Sequence, residues 1–227
     1  MHDRASPRRA LLDAAGDVRV AFLGRDEGPA DDLESARRRL AVEVAAAAPR
    51  RAAENRQVHS ARAVVAVPGT RPEADALISS ERDLGLAVYT ADCLPLLIAG
   101  PTAIAAIHAG WRGLAGGVVA AALARLPDPP DRLSAWIGPA MGPCCYQVSE
   151  EVAYRVAAAS TGAAWIPRLP RPHLDLAGAA KEQLDACGVA DVRLLAHCTG
   201  CEHRRFWSYR RHGATGRRNY ALIWRRR

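Results

Sequence analysis

The chain has 227 residues and 49% of them are hydrophobic, which is enough for a sizeable core and excludes an intrinsically disordered protein. No apolar run reaches the roughly 18 residues of a membrane-spanning helix, and the first residues lack the apolar stretch of a secretory signal. The formal net charge is +7, but Lys181 is the only lysine among 31 basic residues, so the charge indicates an arginine-rich composition rather than a nucleic-acid-binding surface. We expect a cytoplasmic protein that binds neither membranes nor nucleic acids.

The N-terminal third predicts strands and one helix. Val18–Leu23 is an apolar run that predicts the first strand. Residues 31–48 have the composition of a helix. Residues 54–67 predict a strand that contains His59, and residues 71–79 predict a loop that leads to a short element.

The middle of the chain predicts a pair of buried strands. Residues 86–90, Leu94–Ala99 and 103–107 are short apolar runs typical of such strands. Gly100-Pro101 is a turn signal between the second run and the third. We therefore expect the last two runs to pair as a hairpin.

Two chemically active side chains fall at related positions of this hairpin. Cys93 lies on the first limb and His108 at the end of the second, roughly opposite each other if the limbs pair around the turn. Because paired strands lie about 5 Å apart, the thiol and the imidazole are expected to meet. This pair fits either a metal site or a cysteine nucleophile with a histidine base, and Asp92 is a candidate general base or histidine partner.

The residues after His108 predict an anion site. The sequence Ala-Gly-Trp-Arg-Gly precedes a helix-like run at residues 114–126. Free N–H groups and the helix dipole favour phosphate at the start of a helix, so Arg112 is a candidate phosphate ligand.

The rest of the chain alternates strands and helices. The predicted elements are strands at 133–137, 191–195 and 219–224, helices at 150–160 and 174–187, and a Gly/Pro-rich loop at 161–172. Strands and helices intermix without a repeat or a sharp boundary. This pattern predicts one mixed α/β or α+β domain over residues 1–227.

The chain has six cysteines, at positions 93, 144, 145, 187, 198 and 201. In a chain of this length without a signal they are expected to be reduced thiols or metal ligands rather than disulfides. Cys198 and Cys201 form a C-x₂-C pair, and Cys144-Cys145 lies elsewhere. A second, structural zinc site is therefore an alternative to the Cys93–His108 site.

Several sequence blocks resemble those of the YfiH/YlmD family, which is also labelled the polyphenol oxidase or laccase-domain family. The blocks are QVHS from Gln57, TADCLPLL from Thr90, HAGWRG from His108, GPAMGPCCYQV from Gly138 and FWSYRR from Phe206. They follow the family's order over most of the chain. The resemblance implies a single layered α/β/β/α domain whose N-terminal part is shortened here.

The resemblance also implies a metal site. His59, Cys93 and His108 match the family's metal ligands, which predicts one Zn²⁺ per chain with a fourth position left open. Copper is expected only as an adventitious replacement, because it binds such ligands more tightly. A multicopper laccase is not expected, since the chain has seven histidines and no His-x-His pair.

The reaction that the resemblance implies is phosphorolysis of adenosine, inosine or methylthioadenosine to the base and (methylthio)ribose 1-phosphate, with adenosine deamination as a second activity. Its partners are then a purine nucleoside and phosphate, with Arg112, Arg210 and Arg25 as candidate phosphate ligands. Three alternatives stay open. They are a cysteine-type hydrolase or amidase acting on a cell-wall precursor, a copper-dependent polyphenol oxidase side activity, and a non-enzymatic zinc-stabilised binding module.

Overall fold

The computed structural model describes residues 10–25, 32–44, 48–160, 162, 165–167 and 170–226. Five of the described strands form a first sheet. In order across that sheet they are β1 (Leu11–Ala15), β2 (Val18–Leu23), β13 (Asn219–Arg225), β6 (Leu84–Thr90) and β3 (Arg51–Glu54). Neighbouring strands are antiparallel except β3 and β6, which are parallel.

Six of the described strands form a second sheet. In order they are β12 (Asp191–Leu194), β9 (Ser134–Ile137), β7 (Leu94–Ala99), β8 (Ile104–Ala109), β5 (Ala76–Ser79) and β4 (Ala63–Val65). The outer pairs β12–β9 and β4–β5 are parallel, and the inner pairs are antiparallel. A separate small pair joins β10 (Trp165–Ile166) to β11 (His173–Leu174) inside and just after the predicted 161–172 loop.

The helices cover the outer faces of the two sheets. They are α1 (Leu33–Val44), α2 (Trp111–Ala115), α3 (Val118–Leu123), α4 (Glu150–Ala158), α5 (Leu176–Ala186) and α6 (Tyr209–His212), with a 3-10 turn at Pro130–Arg132. Helix caps follow the sequence: Ser149 accepts the N–H of Val152, and Asp175 accepts the N–H of Gly178.

Three groups of buried residues define the layers. One lies between the first sheet and α1, one between the two sheets, and one between the second sheet and helices α2 to α5. Because β7 and β8 are covered on both faces, each is an unbroken apolar run rather than an alternating one. The predicted mixed α/β class with an α/β/β/α order is confirmed.

Two predicted elements are wrong in their extent. The helix predicted at residues 114–126 is broken, because Gly117 adopts a left-handed φ of 82° between α2 and α3. The strand predicted at residues 54–67 is β3, a loop and β4.

The remaining predicted strands and helices are observed, with ends shifted by a few residues. Residues 31 and 45–47 of the first predicted helix lie outside the described residues. Strand β1 is an addition that the sequence did not predict. Within the described part of the chain, no helix has both the length and the apolar character needed to cross a membrane.

Candidate metal centre and adjoining pocket

His59, Cys93 and His108 converge in space. The atoms that each offers to a metal all lie within 4.8 Å of one another. Cys93 Sγ is 3.9 Å from His59 Nε2, and the two imidazole rings meet edge to face with centroids 4.8 Å apart. The three residues that resemblance nominated therefore form a group that could hold a metal ion.

The chain brings these residues together at the junction of its two sheets. His108 belongs to β8 in the second sheet. Cys93 lies in the short crossing between β6 of the first sheet and β7 of the second. Asp92, which precedes it, has a φ of 88°, so the backbone reverses sharply there.

The hairpin register differs by two residues from the predicted one. His108 pairs with Pro95, and the strands end at the Ala99–Ile104 pair. The turn is wider than expected because it is closed by a hydrogen bond from Gly100 N–H to the Ala103 carbonyl. A shift of two residues preserves the face of a strand, so Cys93 still reaches the side of His108.

His59 lies in a loop rather than in the predicted strand. The Asp75 carboxylate accepts hydrogen bonds from the backbone N–H groups of Val58, His59 and Ser60, at 3.3, 3.0 and 2.6 Å. These N–H groups are therefore unavailable to a strand partner. Gln57 fixes the other end, because its side-chain amide exchanges hydrogen bonds with the backbone of Tyr89 on β6.

Asp75 also orients His108. The fully buried carboxylate lies 2.8 Å from His108 Nδ1. Burial opposes the charge on Asp75, but hydrogen bonds from His108 and Ser60 outweigh it and lower the pKa to about 2. An ionised carboxylate can only accept, so Nδ1 carries the proton and Nε2 is left for a ligand. Metal-ligating histidines have this arrangement, and the residues present therefore fit a metal.

The thiol and the imidazole stabilise each other's charged forms. Burial raises the pKa of Cys93, but hydrogen bonds to His108 and His59 outweigh it and bring the pKa down to about 6. Burial lowers the pKa of His108, but Asp75 and Cys93 outweigh it and bring the pKa up to about 9. These two opposite shifts favour a thiolate and an imidazolium when no metal is bound.

Gly110 allows the three side chains to approach. A Cβ at this position would lie 3.0 Å from Cys93 Sγ and 3.2 Å from the His59 ring. Any larger residue would therefore push into the candidate ligands. The glycine of the HAGWRG block is thus explained by contact rather than by backbone conformation.

The Asp92 carboxylate binds protein groups on both oxygens. One oxygen accepts from the Thr199 hydroxyl at 2.7 Å, and the other accepts from the Arg210 backbone N–H at 2.8 Å. The sequence suggested Asp92 as the partner of a ligating histidine. In the structure, the carboxylate that contacts His108 belongs to Asp75 instead. The role of Asp92 as a general base remains a prediction.

A cavity of about 340 Å³ opens beside the cluster. Its lining residues are Trp111, Tyr146, Gln147, Val148, Ser149, Val152, Arg171 and Arg210. Tyr146 lies close to both the cavity and the candidate metal centre. Its side chain lines the cavity, and burial together with the nearby Cys93 charge raises the pKa of its phenol to about 12. The volume falls within the range of small-molecule sites.

Arginines surround this cavity. Arg210 donates to the Gln147 carbonyl at 3.0 Å, and its guanidinium lies 5.4 Å from the Tyr146 ring centroid. Arg112 lies 4.4 Å and Arg155 lies 5.4 Å from the centroid of the Trp111 ring. Of the three predicted phosphate ligands, Arg210 therefore lines the cavity, and Arg112 lies against Trp111, which is one of the lining residues.

The third predicted phosphate ligand, Arg25, lies against the segment that precedes α6. Its guanidinium stacks on Trp207 at 4.6 Å and lies 3.1 Å from both the His203 carbonyl and His212 Nε2. Arg25 has protein partners there, and a role in phosphate binding remains a prediction.

Sequence reasoning missed Asp75 and Tyr146. Asp75 directly precedes the buried strand Ala76–Ser79, but its partners lie at residues 58–60 and 108, and the adjacent sequence does not identify them. Tyr146 ends the GPCCY part of a quoted block, but no local pattern indicates that it faces a cavity.

Known proteins resemble this chain over most of its length. A family model described as multi-copper polyphenol oxidoreductase laccase matches residues 23–226. The chain is 40% identical over 174 residues to a Pseudomonas aeruginosa protein named purine nucleoside phosphorylase PA4543, covering 74% of this chain and 72% of that protein. It is 41% identical over 204 residues to the Streptomyces coelicolor protein named purine nucleoside phosphorylase SCO2081, covering 86% and 84%.

A solved structure shares the whole architecture. The crystal structure of the Neisseria meningitidis protein NMB0706 superposes with a TM-score of 0.81 at 33% identity, covering 95% of this chain and 98% of that chain. The family model and the relatives both span most of the chain. This protein is a member of the YfiH family, as the sequence blocks predicted, and the laccase description belongs to that family's model.

Proposed function

We propose that this protein is a zinc-dependent purine nucleoside phosphorylase that cleaves adenosine, inosine or methylthioadenosine, and that deaminates adenosine as a secondary activity. The single observation that carries the proposal is the cavity walled by aromatic rings and arginines beside the His59, Cys93 and His108 cluster. Relatives named purine nucleoside phosphorylase support it. We further infer that residues 1–227 act as one domain, since both sheets share a core.

His59, Cys93 and His108 would hold the metal, and three protein ligands leave a fourth position for substrate. A zinc ion bound there supplies Lewis-acid polarisation of an oxygen in the substrate or in water. Asp75 keeps the His108 proton on Nδ1, so that Nε2 faces the cluster. A closed structural site would need a fourth protein ligand, which favours catalysis over a binding module.

The cavity residues would position the two substrates. Arg210 and Arg112 provide positive charge for phosphate, and Trp111 and Tyr146 provide ring faces for a purine. In phosphorolysis a phosphate oxygen forms a bond to the ribose C1′ while the bond from C1′ to the base nitrogen breaks. The electron pair of that bond leaves with the base, which takes up a proton.

The test combines metal analysis with product analysis on protein purified without added metal. We expect zinc at the His59, Cys93 and His108 cluster, adenine formed only when phosphate is present, and a smaller yield of inosine from adenosine. Cys93→Ser and His108→Ala should each lose this zinc and the activity together. Cys187→Ser is the matched control, since Cys187 caps α5 away from the cluster, and it should keep both.

Arg210→Gln tests the phosphate site separately. Loss of a charge-assisted hydrogen bond of about 1.5–3 kcal/mol should raise the KM for phosphate by roughly ten- to a hundredfold. Arg218→Gln is its control, because Arg218 is a half-buried arginine that donates to the adjacent Arg217 carbonyl and does not line the cavity. Full activity in metal-free His108→Ala protein, or phosphate-independent product formation alone, would contradict the proposal.

A second candidate is a cysteine-type hydrolase or amidase, for example on a cell-wall precursor. The observation that favours it is the thiolate–imidazolium pair, because a pKa of about 6 makes Cys93 a nucleophile at neutral pH. His59→Ala separates the two. A metal enzyme loses activity with the metal, whereas a Cys93–His108 dyad keeps its activity towards an amide substrate.

A further inference from the structure

A second cluster of metal-ligating groups lies outside the site described above. The thiol sulfurs of Cys144, Cys145, Cys198 and Cys201 all lie within 4.8 Å of one another. Cys201 Sγ is 3.3 Å from Cys144 Sγ and 3.5 Å from Cys145 Sγ. The four cysteines come from two loops that are more than fifty residues apart in sequence, so the fold and not local spacing brings them together.

The spacing matches one tetrahedral ion. A zinc–sulfur bond of about 2.3 Å places the sulfurs of a tetrahedral site about 3.8 Å apart. The separations of 3.3 and 3.5 Å from Cys201 Sγ are slightly shorter than this value, and all four sulfurs lie within 4.8 Å of one another, so small shifts would place them around one ion. Four thiolates with no histidine favour a soft ion such as Zn²⁺, and four protein ligands fill its coordination.

The backbone around the sulfurs is shaped for the cluster. Gly142 N–H points to Cys198 Sγ at 3.3 Å, as N–H groups do towards bound thiolates. A Cβ on Gly200 would lie 2.9 Å from Cys145 Cβ and 2.8 Å from Met141 Sδ. A Cβ on Gly142 would lie 3.1 Å from Cys198 Cβ. Both loops therefore need glycine where they approach the thiols.

The two loops are already joined beside the thiols. Ala140 and Cys198 form an isolated parallel bridge, with hydrogen bonds from Ala140 N–H to His197 and from Thr199 N–H to Ala140. The Arg211 guanidinium donates to the Gly200 carbonyl at 3.2 Å, which brings positive charge next to a tetrathiolate centre. Such a centre with Zn²⁺ carries two net negative charges.

We propose that Cys144, Cys145, Cys198 and Cys201 bind one zinc ion as a closed structural site. This proposal does not depend on the proposed function, because it concerns neither the cavity nor the His59, Cys93 and His108 cluster. The metal would fix the loop before α4 to the segment before α6.

A zinc ion at this site would also fix the position of Asp92. Met141 N–H donates to the Asp92 carbonyl at 2.9 Å, and the Thr199 hydroxyl donates to the Asp92 carboxylate at 2.7 Å. Met141 belongs to one of the two cysteine-bearing loops and Thr199 to the other. A zinc ion that joins the loops would therefore hold the residue that precedes Cys93.

The test uses full-length protein carrying Cys93→Ser, which removes the first cluster. This protein, purified anaerobically with reductant, is expected to retain about one zinc per chain by mass spectrometry. Adding Cys201→Ser or, separately, Cys144→Ser should abolish that zinc, and adding Cys187→Ser should not. Cys144 and Cys201 are exposed, so either variant is expected to fold, and circular dichroism checks this.

Cobalt substitution gives an independent readout. Co²⁺ added to the metal-free Cys93→Ser protein should give an intense thiolate-to-cobalt absorption that Cys201→Ser removes. Absence of zinc and of this absorption in the folded Cys93→Ser protein would overturn the proposal. Titration of four rather than six thiols in unfolded, metal-free wild-type protein would also overturn it, by showing a disulfide instead.

Discussion

Asp75 is the residue on which the geometry of the candidate metal centre depends most. Its carboxylate accepts hydrogen bonds from the backbone of the His59 loop, from the Ser60 hydroxyl at 2.7 Å and from His108 Nδ1 at 2.8 Å. One buried charge therefore fixes both candidate histidine ligands relative to each other. Because loop and strand share the same acceptor, a change at Asp75 moves two ligands at once.

Asp75→Asn should weaken zinc binding by roughly ten- to a hundredfold, since outer partners of ligating histidines have effects of that size. It should also lower the free energy of unfolding by about 1–3 kcal/mol, because an amide cannot accept at both former oxygens. Competition with a chromophoric chelator measures the first effect, and urea unfolding of the metal-free protein measures the second.

Asp128→Asn is the matched control. Asp128 is also a buried carboxylate that accepts from backbone N–H groups, but it lies at the far end of the β7–β8 hairpin. The Asp128→Asn protein should have a lower free energy of unfolding than wild type and an unchanged affinity for zinc. An unchanged zinc affinity in Asp75→Asn would show that the carboxylate only supports the fold.

At the scale of elements, the β7–β8 hairpin shows how a side chain from elsewhere sets a turn. Asp128 accepts from Thr102 N–H and hydroxyl and from Ala103 N–H, at 2.8 to 3.1 Å. A Cβ on residue 100 would collide with the Asp128 side chain, so this position needs glycine. The turn thus forms around a carboxylate that local sequence does not contain, which explains the two-residue error in the predicted register.

The stability of the hairpin should fall in acid. Burial raises the pKa of Asp128, but hydrogen bonds from Thr102 and Ala103 outweigh it and lower the pKa below the usual value for an aspartate. A group whose pKa is lower in the folded state contributes its stability above the unfolded-state pKa, and that stability is lost as the pH falls through the folded-state pKa. Urea midpoints between pH 7 and pH 3 should therefore fall less steeply for Asp128→Asn than for wild type.

The exposed Asp131→Asn serves as the control for this titration. It should follow the wild-type pH dependence, because Asp131 lies on the exposed 3-10 turn nearby. If the urea midpoints of wild type and Asp128→Asn fell equally steeply between pH 7 and pH 3, this pH dependence could not be assigned to Asp128.

Elements with unbroken apolar runs could be predicted from the sequence, and those fixed by distant side chains could not. Strands β7, β8 and β13 have nearly the predicted bounds. The QVHS segment has the composition of a strand, but Asp75 and Tyr89 take its hydrogen-bonding groups and fold it as a loop. A helix was predicted across Gly116-Gly117 because residues 114–126 are rich in alanine and valine, although each glycine costs about 1 kcal/mol of helix propensity relative to alanine.

At the scale of the whole molecule, the layer between the two sheets is one of three buried apolar layers that stabilise the fold. Leu97 is fully buried in that layer, opposite Trp136 on β9 and Ala106 on β8. Leu97→Ala should lower the free energy of unfolding by about 2–5 kcal/mol, because the packed neighbours cannot fill the space. Urea unfolding followed by tryptophan fluorescence measures this loss.

Leu12→Ala is the surface control for that experiment. Leu12 is 45% exposed on β1, so its loss should change the free energy of unfolding by no more than about 0.5 kcal/mol. Equal effects of the two substitutions would mean that Leu97, packed between the sheets, contributes no more to stability than an exposed leucine.

The meeting of Cys93 and His108 could be predicted from the hairpin, but His59 could be added to them only through resemblance to a family. His59, Cys93 and His108 come from a loop, a sheet crossing and a strand, and their sequence separations carry no periodic signal. The neighbours that complete the site, Asp75 and Tyr146, join it through tertiary packing alone. Spacing within one element predicts helices and strands, but it cannot predict groups that meet across two sheets.

The position of β13 has a consequence for biosynthesis. This strand lies between β2 and β6, at the centre of the first sheet, although it is translated after both. The pairs β1–β2 and β3–β6 can therefore become one sheet only when residues 219–225 have been made and placed between them. Because the Gln57 side chain holds the His59 loop to β6, the strand that supports this loop gains its second neighbour only at that step.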